Sequence, residues 1–495
     1  MKRFFQANAI VLNSKVLHEL EDSLNYPLFF GSHVGATLND ELSVAFLNGK
    51  RDWSFRTKLS DLFRYFYHRY HHPFKGLASY DHLKGRMLFT LLYDREDLKR
   101  LIFPVMENYS PQESFLFADT PVIKKRYANK NVVTWSDFPK INMNEWRNEF
   151  NRCEPIWRRR LSEILTANKI PLYTAQFLLA SLQVQTQRIM AAKEFFDRAL
   201  PRIIVTEYDR NSSASCLVIA TALKNITSIT MIHGAAIVPP PRYGFVPVLA
   251  DYVCCWGTRH KDNFIEHGVE ETRLIVTGCQ ALKSSVEVDR NLVCSKIGFP
   301  EDTNLAMLVT SPIFSSEKLI YAQKFCQAMS MLSICRAIVR LHPAESLSEY
   351  AGLISQYPHI LFLNNETLSK DEALSLADIV VVHESSFGVD ALLSGSIVVV
   401  LDALEAQSFT QLMIGKELIE KAGCPSPKTP IQLSAVIQDI FSDAEFRNIL
   451  NRRALEYGQD YIECCDFESV KKVCTLIDKS VERNLAKKTN VLGRY

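Results

Sequence analysis

Bulk charge of either sign is missing from this sequence. Its 495 residues hold 57 Lys and Arg against 55 Asp and Glu, a net of +2. A dedicated nucleic-acid binder carries a strongly basic domain, so no nucleic acid is expected as a partner. No apolar run approaches the roughly 18 residues that cross a bilayer. The opening MKRFFQANAIVLNSK has two basic residues, but Gln6, Asn8 and Asn13 interrupt any apolar stretch and no small-residue cleavage site follows. That argues against a signal peptide. CxxC is absent: the close pairs among 12 cysteines are the adjacent Cys254–Cys255 and Cys464–Cys465, a spacing unsuited to a structural zinc site. Scattered thiols in apolar runs, such as Cys216, Cys326 and Cys335, point to a reducing cytoplasmic setting. Neither GxxxxGK[ST] nor GxGxxG occurs, which argues against a P-loop ATPase and a dinucleotide oxidoreductase. No DxD motif stands out, so no metal and no cofactor are expected.

What is present is an ordinary globular composition, 47% apolar and 11% aromatic, which excludes disorder. The length suits two to four domains. From about Thr303, short β-branched runs alternate with helical patterns, and Ile379–Val382 and Ile397–Leu401 are continuously apolar. Such runs are parallel strands covered on both faces, so the class is α/β with a Rossmann-like layer. An upstream block repeats the pattern: RIIVTEYD (202–209), a helix over 213–224, SITMIHG (228–234), DYVCCWG (251–257) and RLIVTG (273–278). Earlier strands are expected at 27–30, 87–93, 114–118 and 131–135, followed by a helical insertion over about 143–199. The expected architecture is two Rossmann-like domains facing a cleft: 1–285 on the acceptor side, 286–455 on the nucleotide-donor side, and a helical tail over 456–495. Ligands bind outside the carboxyl ends of parallel strands, so those ends are where chemistry is expected.

The strand Ala337–Leu341 ends in His342-Pro343-Ala344-Glu345. Pro343 holds His342 extended, with its imidazole free to donate to a phosphate oxygen. Another strand ends in His383-Glu384-Ser385-Ser386 before a helix. Ser385 or Ser386 would cap that helix and join its N–H groups in an anion site, with Asp390 one turn on to meet a ribose. Upstream, Glu207 and Asp209 close one strand and His233-Gly234 the next. A carboxylate with an imidazole suits proton transfer or stabilisation of an oxocarbenium-like transition state. Arg242 and Tyr243, in the stiff loop 239–245, would take an anionic or sugar acceptor.

The order HG, Ala-Asp-Tyr-Val…Trp-Gly, Val-Thr-Gly, HP and SS, over roughly 202–402, resembles GT-B glycosyltransferases of bacterial surface-polysaccharide synthesis. The similar groups are β-Kdo transferases, polysialyltransferases and CDP-glycerol glycerophosphotransferases. The resemblance implies a GT-B-like fold and a metal-independent glycosyltransferase. Its donor would be a CMP-activated sugar such as CMP-Kdo, and its acceptor a capsule polysaccharide or lipopolysaccharide. It also implies donor contacts at His342, Ser385, Ser386, Asp390 and Glu345, and catalysis at Asp209, His233 and Glu207. The acidic-acidic-Gly motif of polysialyltransferases is replaced by Glu207-Tyr208-Asp209-Arg210, which counts against polysialyl transfer. The rival readings are a nucleotide-sugar 2-epimerase and a non-catalytic scaffold of a polysaccharide assembly complex. The expected location is cytoplasmic, peripheral at the inner face of the membrane or beside other polysaccharide-synthesis enzymes. Two other signals are set aside. His68, His71 and His72 share a helical face, but Pro73 follows and no acidic or Cys ligand is near, so an aromatic patch is the simpler reading. The basic stretch 479–494 reads as a solvated helix end, with anionic-lipid contact as its alternative.

Overall fold

The computed structural model describes residues 14–42, 55–71, 73–232, 246–281, 288–311, 318–343, 345–383, 385–401 and 413–492. They fall into two compact units: one with the residues up to 232, 246–281 and 464–492, the other with 288–463.

In the N-terminal unit, α1 (Ser14–Ser23) and α2 (Phe55–His68) precede β1 (Met87–Leu91), β2 (Ser114–Ala118) and β3 (Val132–Val133). Two long helices follow, α3 (Met143–Ala167) and α4 (Tyr173–Ala199), where the Leu- and Ala-rich periodicity places them. Asn142 starts α3, its side chain accepting the N–H groups of Asn144 and Glu145 at 3.1 and 3.3 Å. Then come β4 (Ile203–Thr206), α5 (Ser212–Leu223), β5 (Thr227–Met231), β6 (Tyr252–Cys255) and β7 (Leu274–Val276). The sheet order is β3-β2-β1-β4-β5-β6-β7, all parallel. Side chains alternate between two cores: Leu88 and Ile204 join the helices α1, α3 and α4, whereas Phe89 and Val205 pack on the other face. This is why the strands read as unbroken apolar runs. The expected strand at 27–30 is instead a tight reversal. Phe29 and Ser32 form an isolated antiparallel bridge around Phe30 and Gly31, both at positive φ.

The C-terminal unit runs β8 (Leu305–Val309), α6 (Lys318–Met329), β9 (Arg336–Arg340), β10 (Leu361–Leu363), α7 (Lys370–Leu376), β11 (Ile379–Val382), α8 (Phe387–Leu393) and β12 (Ile397–Val400). Its parallel order is β10-β9-β8-β11-β12. The chain then ends in α9 (Asp466–Leu492), whose Val470, Val473 and Ile477 are buried in the N-terminal unit's core beside Leu98, Ile102 and Val105. Burying three such side chains contributes several kcal/mol by area, roughly 1.5–3 kcal/mol each. That apolar stripe, rather than the basic end, explains why 464–492 belongs to the N-terminal unit.

Candidate functional site

In each sheet the strand order reverses once, between β1 and β4 and between β8 and β11. At such a point the flanking connections leave in opposite directions and open a crevice at the carboxyl edge.

In the C-terminal unit this edge is built by the ends of β8, β9 and β11. Thr310 continues β8, and its hydroxyl accepts the N–H of His342 at 2.9 Å. Glu345 closes the His-Pro turn from within. Its carboxylate takes the Thr310 hydroxyl, the His342 N–H at 3.1 Å and the Tyr350 hydroxyl at 3.2 Å, with the Lys318 ammonium at 3.4 Å. Glu345 is thus turned into the turn and fixes it, while His342 is left half-buried at its crest. After β11, His383 donates from Nδ1 to the Leu401 carbonyl at 2.8 Å and stacks on Tyr321. That bond sets the tautomer, placing the acceptor nitrogen at Nε2 in the neutral ring.

Ser385 accepts the Phe387 N–H at 3.3 Å, so it is the serine that turns the chain into α8. Ser386 is exposed and its side chain makes no capping bond. With seven residues, α8 has little dipole to offer an anion, so attraction at this edge must come from side chains. Gly388 is closely packed: a Cβ there would meet Leu418 Cδ1 at 2.9 Å and Val382 Cγ2 at 3.1 Å. Asp390 is buried one turn on and paired with the Lys370 ammonium at 2.7 Å.

Sequence reasoning missed Arg340, the last residue of β9. It is buried, with Nε donating to the Leu368 carbonyl at 3.2 Å and Nη2 to Asn365 Oδ1 at 2.6 Å. The guanidinium carbon lies 5.3 Å from the Phe387 ring centre, behind the start of α8. Burial alone lowers its pKa to about 10, and no carboxylate offsets the charge among the described residues. The signal was available: a cation ending an otherwise apolar strand, RAIVR, needs an anion or a reason to be inside. The cavity of about 510 Å³ in this unit lies at the other end of the strands, lined by Asp378, Ser394 and Ser396, where Arg290 and Asp378 already pair at 3.0 Å.

The matching edge of the N-terminal unit is polar but largely satisfied by its own groups. Glu207 is fully buried, its carboxylate taking the Thr90 hydroxyl and the Leu92 N–H. Burial raises its pKa to about 7 against these two donors. Asp209 is equally buried, and one carboxylate oxygen takes the N–H groups of Leu249 and Ala250 at 2.7 and 2.9 Å. Its pKa too is raised by burial, opposed by those donors. Arg210 forms a two-pronged pair with Glu21 at 2.8 and 2.7 Å, both buried. At the start of α5, Glu41 takes the Ser212 hydroxyl at 2.7 Å and Asp119 the Ser213 hydroxyl at 2.5 Å. The positive end of this 12-residue helix therefore already faces two carboxylates of the chain itself. Neither Glu41 nor Asp119 was singled out in the sequence, because they lie some 90 to 170 residues away from their serines. His233, Arg242 and Tyr243 lie outside the described residues, as do His72 and Glu384. The structure thus brings His342, Thr310 and Ser385 to one edge with Arg340 beneath, and Glu207 and Asp209 to the edge of the other sheet.

No protein-family profile matches the chain, and no curated protein matches it in sequence. Solved structures do. A candidate UDP-N-acetylglucosamine 2-epimerase from Listeria monocytogenes is 12% identical, with 81% of this chain and 97% of that one covered and a TM-score of 0.51. S. aureus MnaA, in a co-structure with UDP, is 10% identical over 80% of this chain and 97% of its own, with a TM-score of 0.50. CalG4, the calicheamicin glycosyltransferase, is 11% identical over 81% and 99%, with a TM-score of 0.49. The likeness to the first two establishes a GT-B-like fold, two parallel α/β units in one chain, and at this identity the fold alone.

Proposed function

We propose that this protein works on a nucleotide sugar, passing its glycosyl group to a glycan or glycolipid acceptor without a metal ion. The observation that carries the reading is Arg340: a buried cation with no carboxylate to offset it among the described residues, at the carboxyl edge that also presents His342 and Ser385. A nucleotide phosphate would supply the missing negative charge. In this reading the acceptor hydroxyl attacks the anomeric carbon, the bond from that carbon to the phosphate oxygen breaks, and the phosphate leaves with a growing negative charge. His342, the serine hydroxyls of Ser385 and Ser386, and the field of Arg340 stabilise it, doing what a divalent cation would otherwise do. Asp390 meets the ribose once its pair with Lys370 opens. The hydroxyl proton passes to a carboxylate, Glu207 or Asp209, and His233 is the imidazole that the sequence offers for the same step. Burial holds the Glu207 carboxyl up at about 7, and it takes the proton once its bonds to the Thr90 hydroxyl and the Leu92 N–H open, while Asp209 stays bonded to the backbone of 249–250. Arg242 and Tyr243 are assigned to the acceptor. A CMP-activated acid sugar such as CMP-Kdo is the donor that the HP and SS motifs favour.

A second reading, epimerisation of a UDP-sugar, is favoured by the name of the Listeria monocytogenes protein and by the UDP in the S. aureus MnaA co-structure. Thermal-shift titration with CMP, CDP, UDP and GDP tests the common premise, and stabilisation by none of them overturns both readings. His342→Ala should remove most of the shift while leaving the unliganded protein folded. Product analysis separates the two: an epimerase converts the nucleotide sugar with no acceptor present, and a transferase requires one.

A further inference from the structure

The N-terminal unit carries an aromatic strip that its own packing leaves outside. One side of α2 is tied inward: Asp61 and Tyr65 are buried, and the Tyr65 hydroxyl bonds Glu154, which also pairs with Arg69 at 3.1 Å and Arg158 at 2.7 Å. On the other side Leu62, Phe63, Phe66, Tyr67 and Tyr70 are 40, 68, 53, 58 and 60% exposed. Their spacing follows the helical period, so they form one continuous stripe along α2 and the turn that follows it. Exposed apolar residues scattered singly are ordinary, but a contiguous strip with four aromatic rings marks an interaction surface.

Basic residues outnumber acidic ones along the segment that carries the strip. Between 55 and 75 the sequence has Arg56, Lys58, Arg64, Arg69 and Lys75 against a single acid, the buried Asp61. Arg64 and Lys75 are exposed, and the Arg147 guanidinium carbon sits 5.4 Å from the centre of the Tyr70 ring. Tyr67 stacks on His71 with ring centres 4.5 Å apart. Two rings without polar atoms, two with a hydroxyl and a rim of cations match the boundary between acyl chains and anionic headgroups. A second copy of the same strip fits poorly, since a two-fold contact would set Arg64 and Lys75 against a like-charged rim.

We propose that this strip seats the N-terminal unit on an anionic lipid surface. Phe63 and Phe66 enter the acyl boundary while Arg64 and Lys75 meet headgroup phosphates. No helix among the described residues is long and apolar enough to cross a membrane, so the contact is interfacial. The inference deepens the reading of a glycan or glycolipid acceptor and rests on it only for why a membrane is near. Its test uses neither nucleotide nor turnover.

The full chain is sedimented with vesicles of phosphatidylcholine alone and of phosphatidylcholine with phosphatidylglycerol, at low and high salt. Binding is expected to the anionic vesicles and to weaken with salt. Phe63→Ser with Phe66→Ser should lower that affinity at least about tenfold. Arg64→Glu should lower it about fivefold or more, with the melting temperature unchanged in both variants. Absence of wild-type binding to anionic vesicles overturns the proposal, and so does binding that the double variant retains. A solution dimer that the double variant dissociates, with no vesicle binding, would instead make the strip a contact between copies and overturn it too. If nucleotides fail to stabilise the protein while the vesicle results hold, the proposed function falls and the lipid surface stands.

Discussion

Arg340→Met separates a residue kept for a ligand from one kept for the fold. Methionine preserves the apolar stem beside Phe387 and removes only the charge. Burial brings the guanidinium's pKa from the ordinary 12.5 down to about 10. That difference corresponds to about 3 kcal/mol against the charged form, and at neutral pH the folded protein bears it in full. Against this stand two hydrogen bonds, to the Leu368 carbonyl and to Asn365. Losing them costs about 1–3 kcal/mol each where the acceptor stays dry, and less where water reaches it. The two contributions nearly cancel, so the unliganded variant should unfold within about 2 kcal/mol of the wild type. That is a melting shift of several degrees at most, at roughly 2–4 °C per kcal/mol. The effect on ligand should be large. A charge-assisted contact contributes about 1.5–3 kcal/mol, so nucleotide affinity should fall roughly 10- to 100-fold. Scanning fluorimetry without ligand, followed by calorimetric titration of the nucleotide that stabilises the wild type, gives both numbers. A variant that melts far lower yet binds nucleotide with unchanged affinity would refute the reasoning and make Arg340 a brace for the 365–368 loop. Arg340→Lys, which keeps the charge without the fork, should fall between the two.

Three further outcomes are expected. Because burial raises the Glu207 pKa from 4.5 to about 7, the folded state holds the extra proton between those values. Stability should therefore fall by about 3 kcal/mol as pH rises through that window, and Glu207→Gln should flatten the profile of melting temperature against pH. Arg210→Met leaves the buried Glu21 carboxylate without its guanidinium and should cost about 3–5 kcal/mol in chemical denaturation, largely recovered when Glu21→Leu is added. Gly388→Ala forces a methyl against Leu418 and Val382, so it should cost about 1–3 kcal/mol and weaken nucleotide binding by displacing the Ser385 turn; unchanged binding in a folded variant would detach α8 from the site.

The strands were legible because burial on both faces writes an unbroken apolar run. Ile379–Val382 is β11 to the residue, and β12 covers all but the last residue of Ile397–Leu401. The stretch at 27–30 misled because four apolar residues in a row do not reveal whether a partner strand lies beside them. Phe30 and Gly31 turn the chain back instead. At the carboxyl edge of the C-terminal sheet, His342 and Ser385 could be found from their place after a strand. The bracing role of Glu345 could not be read, since an acid three residues past a His-Pro looks like a ligand group. Only the approach of Thr310, Tyr350 and Lys318 shows it to be the brace of the turn.

The amino-acid sequence by itself determined the class of layer, the polar residues that close its strands, and the absence of any bulk charge. Those are local properties: apolar run length, turn residues, side-chain type. Only the tertiary structure decided which charged groups remain available. Asp209, Arg210, Glu345 and Asp390 are each committed to partners distant in sequence or to backbone amides, while Arg340 keeps a charge that no carboxylate among the described residues offsets. The physical reason is that a buried charge is governed by its neighbours in space. A net of +2 says nothing of one buried cation beneath a sheet edge.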